Sequence, residues 1–179
     1  MVIEDDGRIA LICATAETLS AEDCGGAALA ASIGYPVAAD WPPEHNDQGS
    51  RAWFRRIIDD HPDDPGFGAW YVMADTLIVG TAGYNGPPDA AGAVEIGYAI
   101  VPSAQRRGHG TAAAALLVAR AFRDVRVNAI LAETLPALPA SQKVLQTNGF
   151  ILADRRIDPV EGEILCFRKA RDERLANLT

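Results

Sequence analysis

The stretch VEIGYAIVPSAQRRGHGTAAAALLVARAF, residues 94–122, limits what this chain can fold into more than any other part of it. An apolar run suited to a buried strand passes through a basic loop with two glycines into an alanine-rich helical segment. A further apolar run over residues 127–133 reads as the next strand, so the unit is a βαβ crossover, which is right-handed almost without exception. The loop between strand and helix is Gln105-Arg106-Arg107-Gly108-His109-Gly110-Thr111. The first N–H groups of a helix have no partner inside it and form its positive dipole end, so a helix entered through glycines can receive an anion. Gly108 and Gly110 allow a ligand close to the backbone, while Arg106, Arg107 and His109 add positive charge or donors at the same place. A multiply charged phosphate suits that loop; a solvated turn with two exposed arginines is the alternative.

The flanking sequence sets this crossover in a mostly antiparallel sheet. Residues 9–16 form a compact apolar run, followed by a helix over residues 20–33 that Gly34 and Pro36 close and Gly25-Gly26 weaken. Ser50 is placed to cap a helix beginning at Arg51, in which Phe54, Ile57 and Ile58 recur at helical spacing. Residues 69–74 and 77–84 pair as a hairpin across Asp75-Thr76. After the crossover come a helix over residues 139–148, stopped by Gly149, and strands over residues 150–156 and 163–168. The expected fold is α+β: a mixed sheet of about seven strands, one central βαβ unit and flanking helices. With 179 residues, one domain over the whole chain is expected. The segments 41–50 and 85–89 are rich in breakers and read as loops.

Charge narrows the partners. Lys and Arg number 16 against 24 Asp and Glu, and the net charge of −8 disfavours nucleic acid and anionic membrane while favouring cationic ligands. No signal-peptide pattern opens the chain and no apolar run is long enough to span a bilayer, so a cytoplasmic location is expected. Any self-association is expected to give a homodimer. Cys13, Cys24 and Cys166 are too few and too scattered for a disulfide framework or a metal site, and no metal is expected.

Two other glycine-loop chemistries compete with the phosphate reading. Gly108-His109-Gly110-Thr111-Ala112-Ala113 satisfies the dinucleotide fingerprint G-x-G-x-x-A, with Glu133 near the position of a ribose-binding acid. In that fingerprint the first glycine follows the strand directly, whereas residues 102–107 intervene here, and too few βα units follow for a doubly wound sheet. A nucleotide-binding oxidoreductase therefore ranks below phosphate binding. A Walker A loop is excluded, because no Gly-Lys-Ser/Thr follows the glycines.

The loop Gln105-Arg106-Arg107-Gly108-His109-Gly110 resembles the Q/R-x-x-G-x-G/A coenzyme loop of the GNAT N-acetyltransferase superfamily. The likeness extends over most of the chain and is greatest to the ribosomal-protein-acetyltransferase-like branch. It runs from Trp41-Pro42-Pro43 through Val94-Glu95-Ile96-Gly97-Tyr98 and Ala132-Glu133-Thr134-Leu135-Pro136 to Ser141-Gln142-Lys143-Val144-Leu145 and Asn148-Gly149-Phe150. The resemblance implies acetyl-coenzyme A as cosubstrate, with its pyrophosphate on the amides of Arg107 to Thr111 and its pantetheine arm beside Ile100 and Val101. It also puts Ser141 on the cofactor side. Trp41, Trp53 and Tyr84 would wall the pocket for a small-molecule or peptide amine. In two places the chain departs from its relatives. Leu138 stands where some branches carry Asn, and Leu145 where others carry a tyrosine acid, so proton delivery to the departing thiolate would fall to water or another group. The expected activity is acetyl transfer from acetyl-coenzyme A to a primary amine by direct attack; a non-catalytic acyl-coenzyme A binding or sensing module is the alternative that these departures motivate.

A lysine-like amine, with a pKa of ~10.4, is almost wholly protonated at neutral pH and needs a base before it can attack a thioester. Glu95 interrupts the apolar strand, and strand alternation puts it on one face with Gly97 and Ala99, whose small size leaves room for a substrate or water. The alternative for Glu95 is an edge carboxylate paired with an arginine. A backbone N–H between Tyr98 and Ile100 would meet the developing oxyanion. His45 and His61 read as surface residues, and no G-x-S-x-G elbow supports a serine nucleophile. Glu44, His45 and Glu133 are the bases to consider if Glu95 is structural.

Overall fold

The computed structural model describes residues 3–64 and 66–172. Its strands are β1 (Ile3–Asp5), β2 (Ile9–Cys13), β3 (Ala69–Ala74), β4 (Leu77–Tyr84), β5 (Ala93–Ile100), β6 (Ala129–Thr134), β7 (Ile151–Asp158) and β8 (Gly162–Ala170). They form one sheet in the order β1-β2-β3-β4-β5-β6-β8-β7. Every pairing is antiparallel except β5 with β6, the crossover read from the sequence. The fold class is as expected, with eight strands in place of about seven. The additional β1 has three residues, too few to show a period. A doubly wound sheet is ruled out by this strand order.

Five helices flank the sheet: α1 (Ala16–Asp23), α2 (Gly26–Ile33), α3 (Gln48–Asp60), α4 (His109–Ala121) and α5 (Pro139–Thr147). The single helix expected over residues 20–33 is divided into α1 and α2 at Gly25, whose φ of 105° no helix interior accepts. Helix α1 begins four residues earlier than expected, because Thr15 and Thr18 close a capping box on its first turn. Helix α3 is capped by Asp47 and not by Ser50: the Asp47 carboxylate accepts the Ser50 N–H at 2.8 Å, which puts Ser50 inside the first turn.

Alternation along the strands divides the core in two. Trp70 and Val72 point to one face with Val94, Ile96 and Ile130, where the small buried residues Ala112, Ala113 and Ala121 let α4 lie close to the sheet. Tyr71 and Ile78 point to the other, against Leu19 of α1 and Leu29 and Ile33 of α2. Among the described residues no helix is long and apolar enough to cross a membrane.

Candidate active site

Strand β5 is where the sheet opens. Its pairing with β6 ends at Glu95 and Leu131, while its pairing with β4 continues to Ile100. The N–H of Asn85 donates to the Glu95 carbonyl at 3.0 Å and that of Val101 to the Val79 carbonyl at 2.9 Å. These two bonds fix the parity: odd-numbered residues from Glu95 to Val101 bond β4, so the backbone groups of Tyr98 and Ile100 point into the gap. Part of that edge is already taken, because Gln105 Nε2 donates to the Ile100 carbonyl at 2.9 Å. Val101 does not border the gap as expected. It is fully buried, its N–H is spent on Val79 and its carbonyl accepts the Ala104 N–H at 3.0 Å.

Beyond β5 a single 3-10 turn, Pro102–Ala104, leads into the basic loop. Gly108 sits at φ 84° as the N-cap of α4 and offers no side-chain cap, and the first helical bond runs from the Ala112 N–H to the Gly108 carbonyl at 3.0 Å. The N–H groups of His109, Gly110 and Thr111 therefore have no partner within the helix. Arg106, itself in the left-handed region at φ 59°, and Arg107 are exposed beside them. The two glycines differ in their reasons. Gly108 is required by its backbone angle, with open space around it. A Cβ on Gly110 would meet Ile100, Tyr98 and Val144 at 3.7–3.8 Å, so that glycine faces strand β5 and helix α5, not open solvent. The Nδ1 of His109 is buried without a partner among the described residues, so that atom is not offered to a ligand at the loop.

The loop is braced from α5. Asn148 Nδ2 donates to the Thr111 carbonyl at 3.1 Å, tying the end of α5 to the first turn of α4. At the other end of α5, Leu138 is the N-cap and makes no side-chain cap bond; Gln142 Nε2 donates back to the Leu135 and Pro136 carbonyls instead. Ser141 Oγ lies 3.2 Å from Tyr98 Oη, bridging α5 to β5. Leu145 is fully buried in the core.

Two cavities meet at β5. One, of about 270 Å³, lies on the α1 and α3 side and is lined by Glu22, Glu44, Phe54, Tyr71, Asn85 and Ala99 among others, with no Lys or Arg in its wall. The second, of about 320 Å³, fills the gap between β5 and β6 and is bordered by Thr134, Leu138, Ser141 and Leu145. Gly97, Tyr98 and His45 line both. Glu95 lines neither cavity; it stands two residues before Gly97 on the same face of β5, and its carboxylate accepts at 2.8 Å from Nδ2 of Asn85, a wall residue of the first. Burial first, and the like charge of Glu133 second, push its carboxyl above the ordinary range; Asn85 and Arg156 act against them. Glu133 itself is held low by Arg156, whose Nη2 lies 2.6 Å from Glu133 Oε2. The arginine pairing weighed for Glu95 thus belongs to Glu133.

Residues 17–151 match the family model of the acetyltransferase (GNAT) domain. The chain belongs to the GNAT acetyltransferase family. It is an acyltransferase, with acetyl-coenzyme A as its cosubstrate. An uncharacterized N-acetyltransferase, YjdG of Bacillus subtilis (strain 168), is 34% identical over 124 residues, 67% of this chain and 72% of that one. Among solved structures, RimL, the ribosomal L7/L12 alpha-N-protein acetyltransferase in complex with coenzyme A, aligns with a TM-score of 0.72 at 17% identity, over 96% of this chain and 99% of that one. The ribosomal-protein-S5-alanine acetyltransferase of Vibrio fischeri aligns with a TM-score of 0.71 at 16% identity, over 97% and 98%. At 15% identity, the microcin C7 self-immunity acetyltransferase MccE, in complex with acetyl-CoA and AMP, gives 0.66 over 93% and 94%. At such identities the likeness is one of fold.

In this GNAT domain the aromatic residues expected at the acceptor stand elsewhere. Tyr84 is fully buried, its hydroxyl donating to the Leu117 carbonyl at 2.6 Å, and serves the core. Trp53 is 46% exposed on the outer side of α3, with Arg56 over its ring. Trp41 stands behind the cavity wall, its Nε1 donating to Glu22 at 2.9 Å. Glu22 is the residue sequence reasoning missed. It is 4% exposed, and its carboxylate also accepts from Asn46 Nδ2 at 2.6 Å and Tyr71 Oη at 3.0 Å, while burial raises its pKa. Nothing in the local sequence separates it from the solvated acids beside it. His45 is exposed, as expected of a surface residue, and at φ 63° it also borders both cavities.

Proposed function

We propose that this GNAT acetyltransferase acetylates a primary amine by direct attack, with Glu95 as the base. The observation that carries the reading is the meeting of the two cavities at Gly97 and Tyr98, next to a carboxylate whose proton affinity is raised. On this reading the gap between β5 and β6 takes the pantetheine arm, which resembles a peptide and can bond the open edge at Tyr98 and Ile100 as a short strand would. The amides of His109 to Thr111, with Arg106 and Arg107, hold the pyrophosphate. The thioester carbonyl reaches the Tyr98 to Ile100 edge, where a backbone N–H stabilises the developing oxyanion. The amine comes from the opposite cavity. Glu22 and Glu44 and the lack of a cation in its wall favour an ammonium there, and Glu95 takes up the proton the nitrogen sheds. RimL and the S5 acetyltransferase are named for ribosomal proteins and MccE for microcin C7 immunity, so both protein and small-molecule amines belong among the acceptors to test.

The deciding experiment is thiol release from acetyl-coenzyme A against simple amines, polyamines, aminoglycosides and N-terminal peptides. Turnover with at least one cationic amine is expected; coenzyme binding without thiol release against every member would favour the binding-module reading.

Neither Arg106 nor Arg107 has a carboxylate partner among the described residues, so both charges are available to a ligand. Calorimetry on Arg106→Ala and Arg107→Ala is expected to show coenzyme A affinity reduced by ~1 kcal/mol for each, the loss shrinking as salt is raised. An unchanged double variant would leave the pyrophosphate to the amides alone.

A further inference from the structure

The chain between α2 and α3 reaches the coenzyme loop as well as the α1 and α3 side. The Ile78 N–H donates to the Pro36 carbonyl at 2.8 Å and the Ala38 N–H to the Ile78 carbonyl at 2.9 Å, so residues 36–38 lie along the start of β4. Two residues on, the Asp40 carboxylate meets the turn Pro102–Ala104. Its Oδ2 accepts the Ser103 N–H and its Oδ1 the Ser103 hydroxyl, both at 2.8 Å. The Ser103 N–H has no part in the turn's own bonds, which run from Ala104 to Val101 and from Gln105 to Pro102, and Asp40 supplies its acceptor. Among the described residues no other side chain from outside residues 100–107 bonds this stretch. Both partners are exposed, and the bonds from Ser103 hold the Asp40 carboxyl below its ordinary range, so it is ionised at neutral pH. That charge opposes an anion at the basic loop, which begins two residues after Ser103, so electrostatics gives no reason for an acid here. Geometry gives one. The open edge of β5 at Tyr98 and Ile100 is joined to the free amides of His109 to Thr111 by residues 101–108. Val101 fixes one end of that link through Val79, Gly108 fixes the other as the cap of α4, and Ser103 lies between.

We propose that Asp40 is a positioning residue for coenzyme A: by holding Ser103 it keeps the open edge of β5 and the amides of α4 at the span of a single coenzyme molecule. The inference rests on the seating of the arm and the pyrophosphate proposed above. A ligand held at two points gains from both together only while the link between those points keeps their separation. With Ser103 released, the link must be ordered when the coenzyme binds, and affinity falls by that amount. The brace comes from the segment whose next residues, Trp41 and Asn46, bond Glu22. Those bonds do not pass through Asp40, so the amine's side stays as it is when the brace is removed.

The test is calorimetry of coenzyme A binding to the full chain and to its Asp40→Ala, Asp40→Asn and Ser103→Ala variants, at low and at high salt. Melting temperatures are read alongside and, with any amine that turns over, kcat and both KM values. Asp40→Ala is expected to bind coenzyme A about five- to tenfold more weakly at both salt concentrations, with the kinetic effect confined to KM for acetyl-coenzyme A. Its melting temperature should stay within about 2 °C of the parent's, as for other exposed positions. Asp40→Asn, whose carbonyl oxygen can still accept the Ser103 N–H, should recover most of the affinity, and Ser103→Ala, which keeps that N–H, should fall between the parent and Asp40→Ala. A surface acid with no positioning role gives the opposite sign: its removal tightens the binding of an anion, most of all at low salt. Unchanged or tighter binding by Asp40→Ala therefore overturns the proposal, as does a loss that Asp40→Asn does not recover or one confined to the amine's KM. Should Asp40→Ala not fold, Ser103→Ala decides, and parental affinity in it overturns the proposal. The calorimetry needs no acceptor. A parent that binds no coenzyme A would overturn the seating proposed above as well, whereas a parent and an Asp40→Ala variant that bind it equally overturn this inference alone.

Discussion

Replacing Glu95 by Gln is expected to lower turnover at neutral pH by a factor of ~10² or more while coenzyme A affinity stays within about twofold. The amide keeps the size of the side chain and can still bond Asn85, 2.8 Å away in the parent, but it cannot accept the proton of an ammonium. The pH profile carries the diagnosis. Burial and Glu133 raise the parent's carboxyl, so kcat/KM should fall on the acid side at a pH above the ~4.3 of an ordinary glutamate. In the variant that limb disappears and the rate climbs towards the parent's as the amine deprotonates itself. Stability should move the other way. A carboxyl whose folded pKa is raised contributes stability that is full below its unfolded pKa and is lost as pH rises through the folded one. Once the parent's carboxyl is ionised that contribution is gone, so at pH values above its folded pKa Glu95→Gln should melt no lower. A variant that turns over like the parent across the range would make the carboxylate structural and move the search for a base to Glu44, His45 and Glu133.

A second large effect is expected from Gly97→Val. A Cβ on Gly97 meets nothing within 4 Å, and the residue is an exposed position of a strand, where valine is preferred to glycine. Folding should therefore be unaffected or improved. The added methyl groups stand where the two cavities meet, which on the proposed reading is between the amine and the thioester. Attack needs the reacting atoms within about 3–3.5 Å, and a displacement of about 1 Å costs on the order of 10², so turnover should fall by at least that factor. Thermal melting and thiol release measured together check both halves. A Gly97→Val enzyme with parental turnover would put the reaction elsewhere, and one that fails to fold would show that the open space is filled by something in solution.

What could be read from the sequence and what could not divide along a physical line. The strand, loop and helix over residues 93–121 are contiguous, and the period of the side chains, the glycines and the two arginines are all local signals. The same holds for the hairpin across Asp75 and Thr76, where both turn residues take positive φ. The helical region before residue 34 was harder. Gly25-Gly26 marked a weakness, but whether a glycine pair bends a helix or divides it depends on what each half packs against, here Leu19 on one and Leu29 and Ile33 on the other. The cavity on the α1 and α3 side was least legible, because its wall comes from residues between Leu19 and Ala99 that meet only in three dimensions. Aromatic residues drew attention there for their type alone; Tyr84 went to the core and Trp53 to the surface, while Glu22 looked like any helix acid. Val101 was misplaced for a related reason: a strand's last residue can end in a gap or in a turn, and only the bonds to Val79 and Ala104 decide which.

The Glu22 carboxylate joins Trp41 and Asn46 of the segment before α3 to Tyr71 of the sheet. On the proposed reading that knot lies wholly on the acceptor side, whereas the coenzyme side is built from β5, the basic loop and α4. The two halves of the proposed reaction would then be inherited through different stretches of chain. Exchanging residues 41–47 for another sequence that still satisfies one buried carboxylate would alter which amine is admitted and leave the acetyl donor's seat as it is. On that reading, specificity in this protein could drift without its chemistry having to be reinvented.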